Sequence, residues 1–462
     1  MASPSPDFSN PKLEHSDQTT ISSNPAQLDD DTDTNQQPFS HGFFDKDPET
    51  SRARANYLKA LIGGVLATSL IIWAALPIYW GALWKPINGA HNMNGWIVDY
   101  DGGEIGQAVT QALLSVSGPK NFMSFQVVPA SQFPSPSDLA AAILDEKAWM
   151  GIAINSGASN ALIGAAGSAS SSYNGSLAIT VYAVEARNEN AYRNILAPMI
   201  NGVLQSFSQQ FAIQFAHQLV SQNVNVTAIL TNAPNIITQP VYYTIDNIRP
   251  FNVPVASAVD FVGLIYLLIL SFFTTNIHYQ AFAIISDLDR RLTLPSLLKL
   301  RLLGPILSYF VLSLSYALVS LAFKVPFSNW FGNAGFLIYW MLSWMAMSAL
   351  GLALEAVLTL VTIKFTPFFL IIWLIVNVSV SLFPIQILPT IFRYGFATPF
   401  YNVSRAVRAI VFGTKNDVGL NFGVQFIWIA ISCCTLVLFQ SWMRARAVRM
   451  EKERVEGQKV DI

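Results

Sequence analysis

Runs free of Asp, Glu, Lys and Arg extend over residues 60–83, 261–286, 302–323, 325–354, 365–392 and 418–443. Each is dense in Leu, Ile, Val, Phe and Trp, and roughly 20 apolar residues of helix cross a bilayer core about 30 Å thick. The pattern predicts six transmembrane helices. Only residues 355–364 separate the fourth from the fifth, so these two should form a tight helical hairpin. Pro77, Pro384 and Pro389 fit helix ends or kinks.

The first helix stands apart from the other five. Across residues 84–259 short-period patterning returns, over a length that suits an α/β domain of ordinary size. Residues 96–100 (WIVDY) read as a strand, 101–103 (DGG) as its turn and 105–114 as the following helix. A second helix over 138–145 leads to a strand at 149–154, and 177–184 (LAITVYAV) is the clearest buried strand. Residues 190–220 keep apolar positions at helical spacing with Gln and Asn on the other face, which predicts a long amphipathic helix. The Gly/Ala/Ser-rich stretch 156–172 reads as a flexible loop. The expected fold class is a polytopic α-helical membrane protein in a one-plus-five arrangement. Its parts are a helix at 57–83, an extracytosolic α/β domain at 84–259 and a five-helix block at 260–443, flanked by tails at 1–56 and 444–462.

Composition strengthens the lipid reading: 52% of residues are hydrophobic and 12% charged, against roughly a quarter charged in a soluble domain. A net charge of −1 leaves no general basic surface for nucleic acid. The tail at 1–56 is acidic and rich in Pro, Ser, Thr, Asn and Gln, so it should be disordered; its run Asp29, Asp30, Asp31 and Asp33 reads as solvated charge. No cleavage site follows the first apolar run, which therefore reads as an anchor rather than a signal. Arg52, Arg54 and Lys59 before the first helix, and Arg444, Arg446, Arg449, Lys452 and Arg454 after the last, put both ends in the cytosol. The loop with Arg290, Arg291, Lys299 and Arg301 agrees. Arg393, Arg405, Arg408 and Lys415 fall outside, against the rule. The adjacent Cys433 and Cys434 read as small buried hydrophobes.

Enzyme chemistry is not expected. The chain has no Gly-x-x-x-x-Gly-Lys phosphate loop, no Gly-x-Ser-x-Gly elbow and no His-Glu-x-x-His, and His15, His41, His91, His217 and His278 lack ligand spacing. No cofactor or metal is implied, and ATP-driven transport would need a separate energising subunit. Asp99 and Asp101 beside two glycines suit either a cation or, more simply, a turn and helix cap. Glu355, near the inner end of the fourth run, is an ionisable group at membrane depth and so a candidate transport residue; Lys364 offers a structural partner. Residues 401–412 form an amphipathic helix with Arg405 and Arg408 on one face and Val407, Ile410 and Val411 toward another. At the outer interface it could bring two guanidiniums to lipid phosphates or be merely structural. Sequons at Asn174, Asn225 and Asn402 fall outside, while one at Asn377 lies mid-helix. Gly63 and Gly64 permit helix association, and with it a homo-oligomer.

Three stretches carry a family resemblance: residues 97–106 (IVDYDGGEIG), 182–188 (YAVEARN) and 398–413, before the last helix. With the one-plus-five layout, over about 57–443, the chain resembles the fungal nitrosoguanidine-resistance membrane proteins, within the group related to ABC-2-type permeases and phage-infection proteins. The resemblance implies a plasma-membrane protein linked to tolerance of toxic compounds and to phospholipid asymmetry, with membrane lipids as partners and no catalytic residues. The alternative is a scaffold or receptor whose outer domain binds a partner while the helices anchor it.

Overall fold

The computed structural model describes residues 41–460, so the acidic run at 29–33 lies outside the described residues. Residues up to Gly64 form one compact unit and those from Val65 another. In the first, the predicted tail gives way to helix early: Asp47 accepts the Thr50 N–H at 3.0 Å just before Pro48–Leu83 begins, and Arg54 reaches back to the carbonyl of Phe43 at 2.7 Å.

Among the described residues, five helices are long and apolar enough to span: Pro48–Leu83, Pro254–Ile285, Leu294–Ala322, Gly332–Val378 and Val418–Arg454. The protein is a polytopic helical membrane protein, but the fourth and fifth predicted runs share one helical stretch, Gly335–Val378, interrupted at Thr362 (φ 65°, ψ 163°). Straight, its 44 residues would extend about 66 Å. Yet both of its ends are tied to the 14-residue helix Pro399–Phe412, only about 21 Å long. At one end Asn377 Oδ1 accepts the Phe400 N–H at 3.2 Å. At the other, the approach to Gly335 is held by Asn329 Nδ2 donating to the Val411 carbonyl and Trp330 Nε1 to that of Thr414. The stretch therefore doubles back at Thr362, inside the segment where the sequence predicts a hairpin. A β-branched residue at positive φ marks a strained turn.

Between the first two long helices lies a five-stranded sheet in the order β2-β1-β3-β4-β5: β1 Asn94–Asp99, β2 Ser124–Val127, β3 Met150–Ile154, β4 Ile179–Ala183 and β5 Tyr243–Asn247. All pairs are parallel except β3 with β4. Ile97, Ile152, Val181 and Ile245 lie in register across β1, β3, β4 and β5. Successive residues face opposite sides. Ile97, Ile152 and Val181 join the core beneath helices Glu104–Val116, Ala158–Ser168 and Ala197–Ser221, and Val98, Ala153 and Tyr182 meet Leu139 and Ile143 of Pro136–Leu144.

Two expectations fail here. The stretch 156–172 contains the helix Ala158–Ser168, opened by Gly157 at φ 76° and burying Leu162, Ala165 and Ala166; alanine's helix propensity and that buried face outweigh the loop-like composition. Cys434 is exposed and Cys433 half-buried, both free, so neither is a core residue.

The sheet core does not end at the domain. Val380, Ile385, Ile387 and Phe392, which follow the doubled-back helix, belong to the same cluster as Ile97 and Ile152. Asn92 Nδ2 donates to the Gln386 carbonyl at 3.0 Å and Asn188 Nδ2 to that of Leu382 at 3.1 Å. Gly89 lies against the Ile387 backbone where a Cβ would collide.

Candidate functional site

Charges of both signs gather where the sheet domain meets the helices. The amphipathic helix predicted at 401–412 exists as Pro399–Phe412, started by Pro399 and closed by Gly413 at φ 70°, as proline at the first turn and glycine past the last allow. Its arginines, however, turn to carboxylates rather than to open interface. Arg408, 4% exposed, donates to Glu189 Oε2 at 2.5 Å and to the Ala186 carbonyl at 3.1 Å. Its Nη2 lies 2.8 Å from Asp260 Oδ2, a charge contact that is not aligned as a hydrogen bond. Arg405 donates to Glu146 Oε2 and Asp417 Oδ2, each at 2.9 Å. Glu146 is shared with Arg187, 3.6 Å away, whose guanidinium sits 3.6 Å from the Trp149 ring centroid.

Electrostatics follow this geometry. Burial pushes Arg187 down to about 10, with Glu146 only partly opposing. For Arg405 and Arg408 burial acts in the same direction, but Glu146 on one, and Asp260 and Glu189 on the other, outweigh it and hold both above the ordinary guanidinium value. Burial would raise Glu185; N–H donors from Phe251, Arg193 and Asn247 overcome it and hold the carboxyl below its usual range. The junction thus joins two stretches that carry the family resemblance, 182–188 and 398–413.

A second cluster lies at the far ends of the same helices. Glu355, fully buried, accepts from Arg301 Nη2 at 2.8 Å through Oε2 and lies 3.1 Å from His278 Nδ1 through Oε1. Arg301 also donates to Thr359 Oγ1 at 2.8 Å and Gln440 Oε1 at 2.6 Å. Four long helices converge on this pair. Phe282 covers it, its ring 5.3 Å from the Arg301 guanidinium and 5.1 Å from the His278 ring. Gly304 makes room, since a Cβ there would meet His278 Nε2. The helix Val262–Tyr279 begins two residues after Asp260 and carries His278 roughly 24 Å farther on, at 1.5 Å per residue, so it reaches from beside the junction to this pair.

Lys364 is exposed; the partner of Glu355 is Arg301, because the reversal at Thr362 carries Lys364 onto the returning arm. The sequence singled out Glu355, Arg405 and Arg408 but missed Arg301, His278, Glu146, Glu189 and Asp260. A signal existed for two of them: Arg301 and Asp260 are charges immediately bordering uncharged runs.

Asp99 and Asp101 organise a turn. Asp99 Oδ1 accepts from the N–H groups of Asp101 and Gly102 at 2.9 Å, and Asp101 accepts from Ser159 N and Oγ at 3.0 and 2.5 Å. No three His, Cys, Asp or Glu side chains are grouped to hold a metal among the described residues. Of the three sequons expected to lie outside, Asn174 and Asn225 are solvent-exposed. Asn402 is 1% exposed and donates inward to the carbonyls of Phe396 and Thr398, so the folded chain has no room for a glycan there. Glycosidase treatment is expected to shift the electrophoretic mobility of wild type and of Asn402→Gln by equal amounts. Any shift should vanish in the double variant Asn174→Gln, Asn225→Gln; a shift that depended on Asn402 would contradict its burial.

An uncharacterized endoplasmic reticulum membrane protein of Saccharomyces cerevisiae is 26% identical over 302 residues, covering 64% of this chain and 59% of that protein. The chain therefore spans less than two thirds of that relative's length. No solved structure matches it. Neither the relative's name nor the matching family's description mentions nitrosoguanidine resistance or an ABC-2 permease. The family described as "Protein of unknown function (DUF3533)" matches residues 64–434, which take in the whole sheet domain, the charged junction and the Arg301–Glu355 pair. The chain belongs to the DUF3533 family.

Proposed function

We propose that this is a tolerance factor of the nitrosoguanidine-resistance type at the plasma membrane, with ABC-2-permease-like helices that move small toxic amphiphiles or lipids or regulate lipid asymmetry. In this reading the chain crosses the membrane six times, the doubled-back stretch supplying two crossings. Both ends are cytosolic, the sheet domain is outside, and no covalent chemistry is performed. The observation that carries it is the Arg301–Glu355–His278 cluster. Ionised groups at membrane depth are costly and are concentrated where substrates, ions or moving helices pass. The helix Val262–Tyr279, between Asp260 and His278, would couple that cluster to the outer junction, and an energising subunit or a second copy would supply the drive.

The scaffold reading has its own support. Glu355 is sealed by its partners and the sheet core continues into the helical block, an arrangement that suits a rigid platform. Deletion of the gene decides between them. A tolerance factor predicts greater sensitivity to alkylating toxicants or altered outer-leaflet aminophospholipid, restored by wild type and not by Glu355→Gln produced at equal level. Unchanged sensitivity and lipid exposure in the deletion would leave the scaffold.

A further inference from the structure

Arg249 differs from the other arginines of the junction. Arg187, Arg193, Arg405 and Arg408 each have a carboxylate partner. Arg249 has none within ion-pairing distance among the described residues: its Nε donates to the Gly413 carbonyl at 3.1 Å and its Nη1 to that of Ile248 at 2.8 Å. These bonds use only part of a guanidinium's five donors. Gly413, at φ 70°, keeps the approach open, since a Cβ there would come within 3.2 Å of Arg249 Nε.

The side chain lines a cleft of about 590 Å³ together with Asn252, Trp330, Val411 and Phe412, and no lining residue is acidic. Its walls come from three places in the chain: just before the span Pro254–Ile285, between the spans ending at Ala322 and beginning at Gly332, and before Val418–Arg454. The cleft therefore lies at the ends of several apolar spans, on the side of the sheet domain, at the depth of lipid headgroups. Trp330, 46% exposed, is the residue type that gathers at this depth.

We propose that this cleft binds the phosphate of an anionic phospholipid from the adjoining leaflet. A guanidinium matches phosphate oxygens in geometry and charge. Pro250, Val253 and Trp330, the accessible apolar side chains of the lining, would cover the glycerol and upper acyl chain, and the absence of a lining carboxylate leaves the cation of a zwitterionic headgroup without a partner. The proposal holds whether the helices transport or only anchor.

Native mass spectrometry of the full-length protein released from nanodiscs of mixed phosphatidylglycerol and phosphatidylcholine tests it. Wild type should retain phosphatidylglycerol about tenfold over phosphatidylcholine, the equivalent of one charge-assisted contact. Arg249→Gln should abolish the preference. Asn252→Asp should do so too, and because Asn252 is exposed that variant keeps the fold while placing a negative charge in the cleft. A preference that survives Asn252→Asp, or none in wild type, overturns the proposal. Displacement of the lipid by an equal concentration of soluble glycerol 3-phosphate would also overturn it, by making the site one for a water-borne phosphate.

Discussion

Arg301→Met is expected to destabilise the helical block by about 3–5 kcal/mol, because it strips the fully enclosed Glu355 carboxyl of its guanidinium partner and leaves only His278 beside it. The pair itself contributes much less than that figure. Two buried charges pay a desolvation cost that their attraction roughly offsets, so replacing both by apolar side chains of similar volume is often neutral or stabilising. The double variant Arg301→Met, Glu355→Leu should therefore regain most of the loss, although Thr359 and Gln440 also lose their donor. Thermal unfolding in detergent, read as a double-mutant cycle, measures the coupling. If the double variant is as unstable as the single and equally active, the pair is neither a lock between helices nor part of a transport path. If it is stable but fails to restore tolerance, the charges serve function rather than folding.

Arg408→Met is expected to cost a similar amount, about 3–5 kcal/mol, at the opposite end of the same helices. Arg408 faces Glu189 of the sheet domain and Asp260 of the helical block, and its removal leaves the buried Asp260 and the half-buried Glu189 facing each other without a cation between them. Arg405→Met should cost less, about 1–3 kcal/mol, since Arg405 is more exposed and Glu146 keeps Arg187. Limited proteolysis of the sheet domain in the intact membrane protein reads the difference: Arg408→Met should open cleavage sites that Arg405→Met leaves protected. Equal protection would mean that the apolar contacts of residues 380–392 hold the domain without the arginine.

How much of this was legible in the sequence depends on the range of the contact that decides each feature. The lipid-facing runs were plain because each reports its own surroundings: a charge-free stretch needs no partner to be recognised. β1, β3 and β4 were visible for the same reason, being central strands whose apolar residues face helices on both sides. β2 and β5 were not, since they are edge strands with exposed positions that pair only once the centre has formed. The helix Ala158–Ser168 was hidden by small residues, whose composition suits both a loop and a closely packed helix. The site residues divide in the same way. Glu355, Arg405 and Arg408 stood out as charges against apolar neighbours, but their partners lie 54, 259 and 219 residues away, and no local pattern names a partner at that distance. Of the two readings of the helix Pro399–Phe412, contact with lipid phosphates or a structural role, the carboxylate partners of Arg405 and Arg408 fit the structural one.

The shared core between the sheet and residues 380–392 also sets an order of events during biosynthesis. Asn92 and Gln386 are 294 residues apart, and at about 5–20 residues per second a ribosome takes roughly 15–60 s to produce the second after the first. In the later part of that interval, once β5 has been made, the sheet domain is complete, yet the surface that Ile385, Ile387 and Phe392 will cover remains bare. The nascent chain must wait with an unfinished hydrophobic face, a natural point of engagement for chaperones and for quality control.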